Sequence, residues 1–193
     1  MGTPLQGASH LPFHNSLQPP QPPLLVAWEP PPPAFFKLNF DGSVRNLSVA
    51  GGIIIRDSSS TFIQATSLNF GASSVLLVEA SALHQGIQIA HQLGIQNLII
   101  EGDNLLVIKA LQNLCSIPWK IATIIQDSKF MLQHFSSVQV RHIFREANRA
   151  TDWITNVGHL VSSPFVLPTC SQSLLSSILV SDALGVPLER RAA

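Results

Sequence analysis

Four acidic residues stand where the chain changes from one pattern to another. Asp41 closes an alternating run, Phe35-Phe36-Lys37-Leu38-Asn39-Phe40-Asp41, just before Gly42-Ser43. Glu79 lies in the opening turns of a helical pattern, and Asp103 follows the apolar run Asn97-Leu98-Ile99-Ile100-Glu101. Asp152 lies in the first turns of the last helical pattern. In a sheet whose first, fourth and fifth strands lie together, these four sites are neighbours at one sheet end. Carboxylates gathered there raise one another's pKa, and divalent cations relieve the repulsion. Hard oxygen ligands with open positions suit Mg²⁺ or Mn²⁺. Two such ions about 4 Å apart can clamp the attacking and leaving oxygens of an in-line displacement at phosphorus. The chemistry implied is metal-assisted phosphodiester hydrolysis.

Taken singly, each acid also has a plain structural reading. Asp41 suits a turn before Gly42, and Glu79 near a helix N-terminus complements the macrodipole. Asp103 can cap the helix that follows, and Asp152 is an ordinary first-turn acid. Only the set is specific.

The elements that must position them follow from periodicity. Residues 35–41 read as a strand, and Gly51-Gly52-Ile53-Ile54-Ile55 and Thr61-Phe62-Ile63-Gln64-Ala65-Thr66 flank the polar turn 56–60 as a β-hairpin. Leu76, Ala80, Leu83, Ile87 and Ala90 recur at helical spacing between a Ser73 or Ser74 cap and Gly94. A buried strand over 97–101, a helix from Asn104 to about Gln112, and a third helix opened by Pro118 come next. A strand over 138–144 and a helix from Ala147 to about Gly158 complete the order βββ, α, β, α, α, β, α. Helices between the later strands require parallel crossovers, so the class is α/β, with a five-stranded mixed sheet flanked by helices.

These residues carry a resemblance. Asn39-Phe40-Asp41-Gly42-Ser43, Val78-Glu79-Ala80, Glu101-Gly102-Asp103-Asn104, and His142 through Asn148 to Asp152 resemble, in order, the motifs of ribonuclease H type 1. They are most similar to its plant, non-LTR retrotransposon-derived branch, whose members stand beside or descend from reverse transcriptases. That branch runs Lys-Leu-Asn-x-Asp-Gly-Ser, Glu-Ala, Glu-Ser-Asp, His-Val-x-Arg-Glu-x-Asn and Ala-Asp. The resemblance spans about residues 34–160 and implies a ribonuclease H-like fold. It implies an endonuclease that cuts the RNA strand of RNA–DNA hybrids with two Mg²⁺ ions, or Mn²⁺, leaving 5′-phosphate and 3′-hydroxyl ends. Asp41, Glu79, Asp103 and Asp152 would be the metal ligands, with Asp41 bridging both ions. His142 would assist proton transfer or product departure, and Gly42, Ser43 and Asn148 would meet the RNA strand. Two departures stand out: Gly102 replaces the usual Ser, and Trp153 is bulky where the branch has small residues.

Composition limits the rest. Charged residues are 11% of the 193, with 11 Lys and Arg against 11 Asp and Glu, and 46% of the chain is hydrophobic. That excludes disorder throughout and any basic or acidic arm. Lys109, Lys120, Lys129, Arg145 and Arg149 are the candidate phosphate contacts, and so few cations predict weak hybrid binding with a shallow salt slope. Cys115 and Cys170 form no metal or disulfide framework. No signal peptide or membrane span is read, so a soluble intracellular protein of nucleus or cytoplasm, with no membrane or obligate protein partner, is expected. Ten of the 14 prolines precede residue 34. The expected division is a Pro-rich disordered leader over 1–33, the ribonuclease H-like domain over 34–160 and a C-terminal extension over 161–193. The rival to an enzyme is a catalytically weak or inactive transposon-derived nucleic-acid-binding domain.

Overall fold

The computed structural model describes residues 2, 22–46, 48–71, 73–167 and 173–190. Strand β1 (Leu25–Val26) precedes three long strands, β2 (Phe36–Arg45), β3 (Ser48–Arg56) and β4 (Phe62–Gly71). Helix α1 (Val75–Gln92), β5 (Asn97–Gly102), α2 (Leu105–Leu111), α3 (Ala122–Leu132), β6 (Ser137–His142) and α4 (Arg149–Gly158) follow. The chain then adds β7 (Phe165–Leu167), α5 (Ser173–Ala183) and β8 (Leu188–Glu189).

The main sheet runs β6-β5-β2-β3-β4-β7. Strands β2, β3, β4 and β7 pair antiparallel, while β5 pairs parallel with β2 and with β6. The mixed α/β sheet is thus as expected, with one strand more than the five foreseen. The sixth, β7, comes from the C-terminal extension and pairs Ala65 to Ser67 of β4 with Leu167 to Phe165. Three residues carry no alternation to read, and the pairing supplies partners to an edge strand that would otherwise be open.

Both faces of the sheet are covered, which explains why β3 is apolar without alternation. On one face Leu38, Phe40, Ile53 and Ile55 pack against Leu83 and Ile87 of α1 and against Val107 and Ile108 of α2. On the other, Ile54 and Ala65 meet Ala150 and Ile154 of α4, and Leu175, Ile178 and Leu179 of α5. Local signals set the helix starts. Ser74 accepts from the Leu77 N–H, and Asn104 accepts from the N–H groups of Leu106 and Val107. Asn104 is therefore the cap of α2, which leaves the Asp103 side chain for other use. Gly94, at φ +72°, stops the turn after α1.

The leader expected to lack structure through residue 33 is corrected over residues 22–33; of the rest, only Gly2 is described. Trp28 is 2% exposed and donates from Nε1 to Asn39 Oδ1 at 3.1 Å. The Arg56 guanidinium stacks 3.5 Å from the Trp28 ring centre, and Lys37 Nζ donates to the Glu29 carbonyl. Arg56, read as part of a polar turn, ends β3 and is 1% exposed. It donates to Asp182 of α5 at 2.7 Å. Lys37 pairs with Glu101 at 2.7 Å, and Asn39 Nδ2 donates to the same carboxylate. The two chain ends also join directly, β1 against β8. Among the described residues no helix is long and apolar enough to cross a membrane.

Candidate active site

Strand alternation puts Lys37, Asn39 and Asp41 on one face of β2, and parallel pairing places Glu101 beside Asn39. Asp41 and Asp103 therefore continue a polar stripe to the sheet end, where β5 stops at Gly102. Glu79 reaches the same end from the second turn of α1. Its approach depends on Gly42, because a Cβ there would sit 2.9 Å from Val78 Cγ1 and 3.0 Å from the Glu79 main-chain nitrogen.

The three acids converge. Among the described residues, one carboxylate oxygen from each of Asp41, Glu79 and Asp103 lies within 4.8 Å of the others. Asp41 Oδ2, Glu79 Oε2 and Asp103 Oδ1 are buried and accept no hydrogen bond. Buried carboxylate oxygens without donors are costly, and a group of them facing one another calls for a cation. Burial, then the charges of Asp103 and Asp152, raises Asp41 to about 6. Burial, then Asp41 and Asp103, raises Glu79 to about 9. Asp103 is raised as well, chiefly by burial, although Arg145 and His142 pull it down. The donor set is all hard oxygen, fitting Mg²⁺ or Mn²⁺ rather than a soft metal.

Asp152 does not join the three. It lines the same cleft, of about 420 Å³, together with Asp41, Ser43, Glu79, Asp103 and Arg145. Its Oδ1 accepts from Arg145 at 2.8 Å and its Oδ2 from Asn156 at 3.2 Å. Three of the four carboxylates expected to converge do so, and the fourth is paired with a guanidinium seven residues upstream. Arg145 sits in the 3₁₀ turn leading into α4, and turn plus helix bring it over the Asp152 side chain. That i to i+7 spacing was the signal available in the sequence.

The remaining candidates fall differently. His142, at the end of β6, is exposed, and its Nε2–H donates to the Asp103 carbonyl at 3.1 Å. Ser43 borders the cleft, but its hydroxyl lies 2.7 Å from His159 Nε2, whose Nδ1 is 3.1 Å from the Ser48 hydroxyl. His159 thus fixes the orientation of Ser43. Asn148 is 2% exposed, with a buried Oδ1 that accepts no hydrogen bond. Its Nδ2 donates to the Phe40 carbonyl at 3.0 Å, bracing the start of α4 against the strand that carries Asp41. The resemblance implied a contact of Asn148 with the RNA strand; in this structure its amide nitrogen is turned onto the Phe40 carbonyl.

The profile of the family described as reverse transcriptase-like matches residues 39–158, from the strand that carries Asp41 to the end of α4. The chain belongs to that family. An Arabidopsis thaliana protein named "Putative ribonuclease H protein" is 27% identical over 170 residues, which are 86% of this chain and 27% of that one. The chain thus spans about a quarter of the length of the curated relative it matches. Ribonuclease H1 of Halobacterium salinarum superposes with a TM-score of 0.61 at 20% identity, over 64% of this chain and 96% of that one. LC11 ribonuclease H1, isolated from compost and solved with an RNA/DNA hybrid, superposes at 0.59 and 16% identity, over 63% and 94%. These likenesses establish the ribonuclease H fold for this member of the reverse transcriptase-like family.

Proposed function

We propose that this chain hydrolyses the RNA strand of RNA–DNA hybrids as an endonuclease that uses two divalent cations. One observation carries the reading: carboxylate oxygens of Asp41, Glu79 and Asp103, brought by β2, α1 and the end of β5, lie within 4.8 Å of one another, and each of these acids has a buried oxygen that accepts no hydrogen bond. Asp41, Glu79 and Asp103 would hold the first cation, and Asp152 with Asp41 a second. Bound there, divalent cations supply Lewis-acid activation of water and offset charge on the leaving oxygen. The protein's own part is to fix those ligands, exclude bulk water from their inner oxygens, and present His142 at the rim to take or return a proton. Ser43, oriented by His159, would hydrogen-bond the RNA strand, where a 2′-hydroxyl distinguishes RNA from DNA. The compost-derived neighbour is solved on an RNA/DNA hybrid, and the shared fold supports that substrate class here. The match to the reverse transcriptase-like family supports a retrotransposon-derived origin.

The test is cleavage of an end-labelled RNA–DNA hybrid with Mg²⁺ or Mn²⁺. Wild type should cut the RNA strand to 5′-phosphate products, and Asp41→Asn should lower the rate by roughly 10²-fold or more. Cutting that is independent of metal, or unchanged in the variant, overturns the proposal. The second reading, a weak or inactive nucleic-acid-binding domain, is favoured by the engagement of Asp152 with Arg145. It predicts hybrid binding with no metal-dependent cutting in the same assay.

A further inference from the structure

Arg145, a candidate phosphate contact, is a cation of the cleft that the proposed metal chemistry does not use. Its side chain is 72% exposed at the rim of the cleft, and its NH2 group donates to Asp152 Oδ1 at 2.8 Å. Asp152 is 34% exposed and stands apart from the three acids whose oxygens converge. The same cleft is lined by Asp41, Glu79, Asp103, Asp152 and Asn156. A cation tethered by covalent structure therefore occupies the charge role that a second metal ion would take at Asp152.

We infer that Arg145 is a built-in counter-cation that holds Asp152 out of the Asp41–Glu79–Asp103 cluster, and that a second divalent cation binds by displacing it. This rests on the metal-dependent reading above. The exchange is a competition between two cations for one carboxylate, so its energetics follow from the pair. An exposed Arg–carboxylate pair contributes at most about 1 kcal/mol, small enough for a divalent ion to overcome. The freed guanidinium stays at the cleft rim. Its planar fork suits a phosphate diester, so substrate and second cation would favour each other. By linkage, a hybrid that captures Arg145 raises the affinity of the second cation site, and the cation raises hybrid affinity equally. The device keeps the second site weak until a substrate phosphate arrives.

The experiment is calorimetric titration of Mn²⁺ into the full chain without nucleic acid, which reads binding rather than turnover. Wild type should bind one ion tightly and a second weakly. Arg145→Gln should tighten the second site roughly twofold to fivefold, the range that about 0.4–1 kcal/mol of lost competition represents, and leave the first nearly unchanged. Arg145→Lys, which keeps the charge but loses the fork, should fall between. Arg45→Gln removes a charge from the same cleft without touching Asp152 and should shift both sites alike, if at all. Two sites in wild type with an unaltered or weaker second site in Arg145→Gln overturns this inference alone. No Mn²⁺ binding in wild type overturns the metal-dependent reading with it. Because Arg145 lies on the surface, its variants retain the fold, and a circular dichroism melt of each verifies it.

Discussion

Arg56 and Asp182, 126 positions apart in the chain, share a buried ion pair of 2.7 Å. Burial pushes the Arg56 pKa down and the Asp182 pKa up, in each case against the pull of the partner. Desolvation thus outweighs attraction at both ends, and the pair acts as a lock between β3 and α5 rather than a source of net stability. Trp28 closes the lock from the other side, stacked on the guanidinium and bonded to Asn39.

Asp182→Ala should therefore destabilise the protein by about 3–5 kcal/mol, since it leaves a buried guanidinium without its carboxylate. Replacing both partners, Arg56→Leu with Asp182→Leu, should recover most of that loss. Urea unfolding of the two single variants and the double variant reads the cycle. A double variant as unstable as the sum of the singles would contradict the lock.

Metal-free protein should lose stability as pH rises. Glu79 has its folded pKa raised from 4.5 to about 9, and Asp41 from 3.8 to about 6. Each therefore contributes most below its unfolded pKa, and that contribution disappears as pH climbs through the folded value. Within the window each group changes stability by up to about 1.4 kcal/mol per pH unit. Thermal melts in EDTA between pH 5 and 9 should show a falling Tm. Mg²⁺ should raise Tm most at the alkaline end, where the carboxylates are ionised. Glu79→Gln should flatten the EDTA profile above pH 6. A Tm that climbs with pH in EDTA would refute the electrostatic account of the cluster.

The part of the site that could be read in the sequence is the part set by local rules. Asp41 after an alternating strand and Asp103 after a buried strand are brought together by parallel pairing of β2 with β5, and Glu79, inside a capped helix, joins them where α1 packs over Gly42. The cap of α2 is Asn104 rather than Asp103, which the sequence also allowed. What escaped was tertiary. Trp28 lay among prolines that read as linker, and its burial depends on Arg56 and Asn39, side chains from two different strands. Asp182 lay in a tail with no alternation, and β7 was too short to show a period. Asp152 and Asn148 were placed correctly on α4 and its lead-in. Their orientations were set by Arg145 and by the Phe40 carbonyl, which spacing alone does not specify.

Hybrid binding should depend only shallowly on salt. Arg45 and Arg145 line the cleft that holds the acids, and Arg149 lies with Arg145 around the adjoining cavity. About three phosphate contacts imply a slope of log K against log salt near −3 or shallower. Fluorescence anisotropy of Asp41→Asn on a labelled hybrid, with salt varied, measures it. A slope steeper than about −6 would mean that other cations grip the substrate.

Gly52 links the fold to the site. It pairs with Asp41 across β2 and β3, and α4 rests directly on it. A Cβ at this position would lie 2.4 Å from Thr155 Oγ1, 2.6 Å from the Thr155 nitrogen and 2.7 Å from the Thr151 carbonyl oxygen. Two of those three atoms are backbone, so the helix rather than a side chain must yield. Gly52→Ala should cost about 1–3 kcal/mol by overpacking. It should also lift α4, and with it Asp152 and the Asn148 brace, away from Asp41. The second Mn²⁺ site proposed at Asp152 should weaken more than the first, proposed on the acids of β2, α1 and the end of β5. Melting and Mn²⁺ titration of the same variant separate the two effects. Loss of stability with both sites weakened equally would show that α4 does not position the fourth carboxylate.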